Sequence, residues 1–442
     1  MTTVPEVRVR EANKAQRNPE GDYVLYWMTA YRRLGWNYAL QHAAELAGSM
    51  SKPLVILEVL LVDYPYASPR LHRFMLEGMA ERARKLRGGP VRHYPFVERE
   101  SGESDGLFPA LASTACCVVV DDYPAFILPG MVASAGEKAP VGVEAVDSNG
   151  LLPLRGADRT FSAAYHFRRF LQKNLPDNCG DIPRADPLSG ALRGADGALD
   201  SRILEKWAPA SGPLQESDLP ALEGLAPDRR VTPVDCPGGT SPARARLARF
   251  LDDVLPRYHA DRNHPDLDAT SGLSPYLHFG NLSVHEIFSE ISSREGWSPL
   301  RISPKADGSR SGWWGMGEGA EAFLDQLVTW RELGFNFTSR REDYAAYESL
   351  PDWARNTLEE HEAESQGKER DNGLASRRCV ALKPQAHAVD DLLDHGRELG
   401  GVVAAGLDGH HVGASAHPGR RDGPDAGPDG NVNCLRVLDR QL

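Results

Sequence analysis

Two β-branched apolar runs, Leu54 to Val62 and Cys117 to Val120, flank an amphipathic helical pattern at Leu71 to Leu86. No other feature narrows the possible folds as far. Apolar runs of this kind suit strands buried on both faces, which need a covering layer on each side. A strand–helix–strand order supplies those layers around a parallel sheet. Tyr23 to Met28 adds an earlier strand, followed by a helical pattern through Leu40, Ala44 and Leu46. Val141 to Val146 adds a later one and leads into Asp147-Ser148-Asn149-Gly150, a turn-rich stretch of the kind where open α/β sheets place ligands. There is no GxGxxG, so a conventional dinucleotide site is not supported.

The pattern then changes twice. Residues 176–242 fill with Pro, Gly, Asp and Ser around one short helical piece at Ile203 to Trp207, and read as a linker. From Ala243 the periodicity is helical: Arg244 to Tyr258, Ser274 to Ile291, Ala320 to Phe335 and Pro351 to His361. The 77 residues from Gln366 to Leu442 then carry none of the chain's 34 aromatics and 12 of its glycines. The expected division is an N-terminal extension over 1–20, frayed; an α/β domain with a Rossmann-like parallel sheet over 21–175; a linker over 176–242; an all-α domain, incomplete, over 243–365; and a poorly ordered Gly-rich tail over 366–442.

Composition limits what such a chain can be. With 41% hydrophobic and 25% charged residues it is neither disordered throughout nor collagenous, and no apolar run approaches the roughly 18–20 residues of a membrane span. The first twenty residues lack the apolar core of a secretory signal, so the chain reads as cytoplasmic. The six cysteines, at 116, 117, 179, 236, 379 and 434, form no CxxC pair, which argues against zinc and a disulfide framework. A net charge of −12 excludes a surface that coats nucleic acid as a whole but not a local basic groove. The 41 Arg against 9 Lys supply side chains that grip phosphate in two places, though GC-rich coding gives the same bias.

Two segments carry residue types with chemical consequences. In Thr270-Ser271-Gly272-Leu273-Ser274-Pro275, Ser274 suits an N-cap and Pro275 the first helical position, so hydroxyls and amides gather at a helix N-terminus. They either cap the helix or form an anion site. In Asp325-Gln326-Leu327-Val328-Thr329-Trp330-Arg331-Glu332-Leu333, spacing at about 100° per residue puts Arg331 in the middle of the apolar face. A charge there needs a carboxylate partner or an anionic ligand. Gln326 and Trp330 share an adjacent face, an amide beside a flat ring that is either core or a stacking platform.

Three anchors together resemble the DNA photolyase and cryptochrome family, and more closely its class II cyclobutane pyrimidine dimer photolyases. They are Tyr26-Trp27-Met28 with Trp36-Asn37-Tyr38-Ala39-Leu40; Arg262-Asn263 with Thr270-Ser271-Gly272-Leu273-Ser274-Pro275-Tyr276-Leu277-His278-Phe279-Gly280; and Trp330-Arg331-Glu332-Leu333 with Pro351-Asp352-Trp353-Ala354. The resemblance spans Gly21 to Glu364. It implies an antenna-type α/β domain of unknown pigment and a helical domain holding FAD, active in reduced form, for light-driven repair of UV-damaged DNA by electron transfer. The implied partner is DNA containing pyrimidine dimers, bound by a monomer without metal or membrane.

By that resemblance Thr270, Ser271, Gly272, Leu273 and Ser274 would wrap the FAD pyrophosphate, with Tyr258 and Arg331 lining the flavin pocket. Arg262 would meet DNA phosphate, Trp330 would stack on the flipped-out dimer and Gln326 would hydrogen-bond it. Family members more generally carry Glu where this chain has Gln326. They also continue past Pro351 to His361 with helices rich in Trp and Tyr, which Gln366 to Leu442 lack, so a shift of reading frame near codon 365 is expected. The altered tail leaves two alternatives: a cryptochrome-like photoreceptor without repair, and a flavin-free remnant.

Overall fold

The computed structural model describes residues 3–368, apart from 191, 196 and 216–230. The apolar runs form six strands: β1 (Val9–Glu11), β2 (Tyr23–Trp27), β3 (Leu54–Leu60), β4 (Arg92–Val97), β5 (Ala115–Asp121) and β6 (Val143–Val146). They lie in the order β1-β6-β5-β2-β3-β4, with β2 to β6 mutually parallel and β1 antiparallel to β6. Helices α1 (Tyr38–Met50), α2 (Pro69–Leu86), α3 (Leu107–Thr114) and α4 (Leu128–Lys138) connect and cover them. Alternate residues serve opposite layers: Leu25, Leu57 and Val118 pack with Leu111 and Val132, whereas Val24, Ile56 and Val119 pack with Leu40 and Ala43. This is the expected Rossmann-like α/β architecture.

The expected frayed start is instead part of the sheet. Val9, Arg10 and Glu11 pair with Val146, Ala145 and Glu144. Its charges hold it there: Arg10 makes two 3.0 Å bonds to Asp122, and the buried Arg8 donates to the carbonyls of Gly150 and Leu151 at 3.1 and 2.8 Å. Strand β4 escapes sequence reading because Pro95 interrupts it. It lies at the sheet's far edge, where a proline is tolerated, and Ala210 N–H bonds the Pro95 carbonyl at 2.8 Å.

Helix α5 (Ala164–Asn174) follows the sheet, then α6 (Ser201–Lys206) and α7 (Ser211–Gln215). These last two fall in the stretch expected as a linker, yet Ile203 and Trp207 are buried beside Leu111 and Phe96, and Leu214 against α2. What is described of that stretch therefore wraps the sheet. Composition pointed to loop there because three or four apolar anchors suffice to pin an otherwise polar segment.

The second half is all-helical: α8 (Thr240–Arg249), α9 (Tyr258–Asp261), α10 (Ser274–His278), α11 (Val284–Arg294), α12 (Glu318–Leu324), α13 (Arg331–Arg340) and α14 (Asp352–Lys368). A core around Phe250, Leu273, Ile287, Leu324 and Leu333 unites it, and Phe167 and Leu171 of α5 belong to the same cluster. The helix expected over Ser274 to Ile291 is broken at Gly280, which has φ +72°; a Cβ there would sit 1.9 Å from the Ala30 carbonyl oxygen. The chain turns where it meets the first half. Among the described residues no helix is long and apolar enough to cross a membrane, and no group of three or more His, Cys, Asp or Glu could hold a metal ion. The expectations for 366–442 fall, from residue 369 on, outside the described residues.

Candidate functional site

Helix α10 has only five residues, starts at Ser274 with Pro275 in its first turn, and is flanked by Leu273 with no side-chain cap. The cap thus lies one residue earlier than the sequence suggested, and none of the loop hydroxyls caps the helix. Ser271 Oγ accepts from Leu273 N–H at 3.3 Å within the loop, Thr270 is exposed, and Ser271 and Ser274 are half-buried. Leu273 is fully buried and anchors the loop to the core. So short a helix has little dipole to offer an anion. The positive charge comes from a residue the sequence did not single out. Arg246 of α8 donates from Nε to the Ser271 carbonyl at 2.7 Å and from Nη2 to the Thr270 carbonyl at 3.4 Å. Among the described residues it has no carboxylate partner. Gly272 sits beneath it at φ +63°, where a Cβ would lie 2.5 Å from the guanidinium. The left-handed backbone is what calls for glycine there.

The helix expected over Ala320 to Phe335 is three pieces, because the six residues Asp325–Trp330 are π-helical between α12 and α13. A second π segment, Phe250–Val254, follows α8, and the two regions meet through Phe250 and Phe323, ring centroids 4.5 Å apart. Tyr258 completes the cluster edge-on to both rings, at 5.6 and 5.5 Å. Arg262, one turn further, donates to the Ala322 carbonyl at 3.1 Å and leans over the Tyr258 ring. Gln326, four residues beyond Ala322, is half-buried, whereas Trp330 is 8% exposed and belongs to the core. The structure thus brings Tyr258 and Arg262 to the helix that carries Gln326. Trp330 forms part of the packed layer and presents no open face.

Arg331 goes elsewhere. It is buried, stacks 4.5 Å from the Phe335 ring and donates to the Asn149 carbonyl at 2.6 Å. Burial pulls its guanidinium below the ordinary arginine range, while nearby Tyr123 and Glu332 pull the other way. It therefore joins the two halves of the molecule and does not line the cluster around Tyr258, contrary to the role expected for it. The physical reason is the π segment: its i→i+5 bonding invalidates a face assigned at α-helical spacing. Glu332 works beside it, accepting from Leu151 and Leu152 N–H at 2.7 and 3.1 Å. Burial pushes its carboxyl up to about 7 against the pull of those amides, Arg331 and Arg8. The Asp147 to Gly150 stretch, read from sequence as a place for ligands, leads straight into this joint and contributes the Asn149 carbonyl to it.

Comparison with known proteins bears on what these residues serve. The chain is 31% identical over 358 residues to the deoxyribodipyrimidine photo-lyase of Methanothermobacter thermautotrophicus, matching 81% of this chain and 70% of that protein. The chain belongs to the DNA photolyase family. It is also 28% identical to the deoxyribodipyrimidine photo-lyase of Oryza sativa and 24% to that of Arabidopsis thaliana, spanning 66% and 63% of their lengths. No protein-family model matches. Among solved structures, a bacterial class III photolyase from Agrobacterium tumefaciens superposes with a TM-score of 0.51 at 16% identity, over 82% of this chain and 71% of that one, and so shares the fold.

FAD, which the family implies, makes demands that these residues can be tested against. A pyrophosphate needs hydroxyl or amide donors and positive charge, and a flat ring system needs an apolar wall. The 270–274 loop offers hydroxyls that capping has not consumed, next to an Arg246 with no carboxylate partner among the described residues and a glycine that keeps the backbone bare. Tyr258, Phe250 and Phe323 form an aromatic cluster packed ring against ring, each under a tenth exposed. The donor set fits the cofactor.

Proposed function

We propose that this chain repairs cyclobutane pyrimidine dimers in DNA by light-driven electron transfer from reduced FAD. The observation that carries the proposal is the Thr270–Ser274 loop, none of whose hydroxyls caps the helix, beneath an Arg246 with no carboxylate partner among the described residues, in a chain whose relatives are deoxyribodipyrimidine photo-lyases. Bound and fully reduced, FAD would supply the photoexcited electron that opens the cyclobutane ring and recover it afterwards. The protein's own part is positional. Thr270, Ser271, Gly272, Leu273 and Ser274 hold the pyrophosphate, and Tyr258 borders the flavin. Arg262, whose guanidinium has no carboxylate partner among the described residues, meets a DNA phosphate. Gln326 hydrogen-bonds the extruded dimer, and Trp330, packed in the core one turn away, holds the helix on which Gln326 stands.

Extruding the dimer costs least where the lesion already weakens stacking, which gives the enzyme part of its selectivity. The class II assignment rests on the Thr270 to Gly280 anchor together with Trp330-Arg331-Glu332-Leu333. Free cysteines at 116, 117, 179 and 236 support a reducing, cytoplasmic setting. The test is illumination of the FAD-loaded, reduced protein with an oligonucleotide carrying one thymine dimer. Light-dependent loss of the dimer, absent in darkness, is the expected result. Retained flavin with no dimer splitting would instead mean a photoreceptor that does not repair.

A further inference from the structure

The π-helical segment that carries Gln326 and Trp330 begins at Asp325, and Asp325 is buried. Its carboxylate is gripped by Arg168 of α5 in a two-point ion pair, Nε to Oδ1 at 2.8 Å and Nη2 to Oδ2 at 3.2 Å, with both side chains under a tenth exposed. Arg168 is itself immobilised. Its Nη1 reaches the Gly308 carbonyl at 3.3 Å, and Gln172, one turn along α5, accepts from Gly308 N–H at 2.7 Å and donates to the Ser309 carbonyl at 3.0 Å. The grip therefore comes from a helix outside the 243–365 region expected to bind the cofactor.

A π segment within an α-helix is a locally unfavourable register that relaxes unless neighbours hold it, and such segments occur often at functional sites. This one is pinned at its first residue by Arg168, and just past its last by Arg331 on Asn149 and Glu332 on Leu151 and Leu152. Relaxing it to α would rotate Gln326 about the helix axis relative to Tyr258 and Arg262. We infer that Arg168, through its buried ion pair with Asp325, is a positioning residue for lesion recognition, holding the π register that aims Gln326 at the dimer.

The inference rests on the repair reading, so its test must separate the two. Removing one partner leaves a buried unpaired charge and endangers the fold, but replacing both by apolar residues is often neutral or stabilising. The informative protein is therefore the double variant Arg168→Met with Asp325→Leu, in the full-length chain, beside Arg168→Lys, which keeps the charge and loses the two-point geometry.

Three quantities are measured: affinity for a thymine-dimer duplex, affinity for the same duplex undamaged, and amide hydrogen exchange over 325–330. In the double variant the preference for damaged over undamaged duplex is expected to fall by about tenfold or more, with undamaged-duplex affinity and thermal midpoint close to wild type. Exchange over 325–330 should change in the same protein, and Arg168→Lys should fall between. Full lesion preference in the double variant overturns the inference, as does a loss matched by equal losses of undamaged-duplex affinity and thermal midpoint. If the wild-type protein shows no preference for damaged duplex, the repair reading falls and the positioning role falls with it.

Discussion

Gln326 replaces the carboxylate that family members more generally carry with a neutral amide, so it can orient a base by hydrogen bonding but cannot hold a charge. Gln326→Ala should weaken lesion binding about tenfold or less, the scale of one or two hydrogen bonds, and leave undamaged-DNA binding alone; paired titrations with the two duplexes check it. Arg246 should show the complementary behaviour. Arg246→Gln is expected to raise the FAD dissociation constant by at least about tenfold, with Arg246→Lys recovering part of the loss, read by flavin fluorescence on reconstitution. Trp330 lies in the core, so Trp330→Ala should cost about 3–5 kcal/mol of stability in chemical denaturation, whatever it does to repair. The loop residues were legible from sequence because Thr, Ser and Gly at 270–274 announce their chemistry by type. Arg246 was not: it lies 25 residues from Ser271, and only folding brings its guanidinium to the Ser271 carbonyl.

At the scale of elements, the joint between the last strand and α13 carries a pH dependence. The folded Glu332 carboxyl titrates near 7, above its ordinary value, because burial penalises the charge. Folding therefore takes up a proton between about pH 4.5 and 7. The stability it contributes is complete below the ordinary carboxylate range and is lost as pH rises toward 7, on the order of 3 kcal/mol over the window. Denaturation midpoints across that range should fall with rising pH in wild type and flatten in Glu332→Gln; a wild-type curve with no slope there would contradict the assignment. Strands with unbroken apolar runs were readable, as was the C-terminal end of α2, which starts two residues before the Leu71 expected for it. Pro95 hid β4, the charges of 1–20 hid β1, and the π segment misdirected Arg331, since each depends on a neighbour's contribution that a local pattern does not contain.

For the whole molecule, the two halves share buried polar groups: Arg331 and Glu332 reach the 149–152 loop, Arg33 donates to the Gly280 carbonyl at 3.2 Å, and Arg168 reaches Asp325. The division into halves was visible in the change from apolar runs between helical patterns to helical patterns alone, and the family in three spaced anchors. The joint was not visible, because a buried charge and an exposed one look alike in sequence. The tail poses a separate question. Translating the coding DNA beyond codon 365 in the other two frames should yield an aromatic-rich helical sequence, and two frames without one would end the frameshift explanation. Whatever the tail is, the repair proposed here requires a bound flavin, for which Tyr258, Arg246 and the 270–274 loop are the proposed holders. The deciding measurement is the visible absorption spectrum of the purified full-length protein, with flavin released by denaturation and counted against protein. Near-stoichiometric FAD is the predicted result; protein without flavin, and unable to take it up on reconstitution, would contradict the photolyase function proposed for this chain.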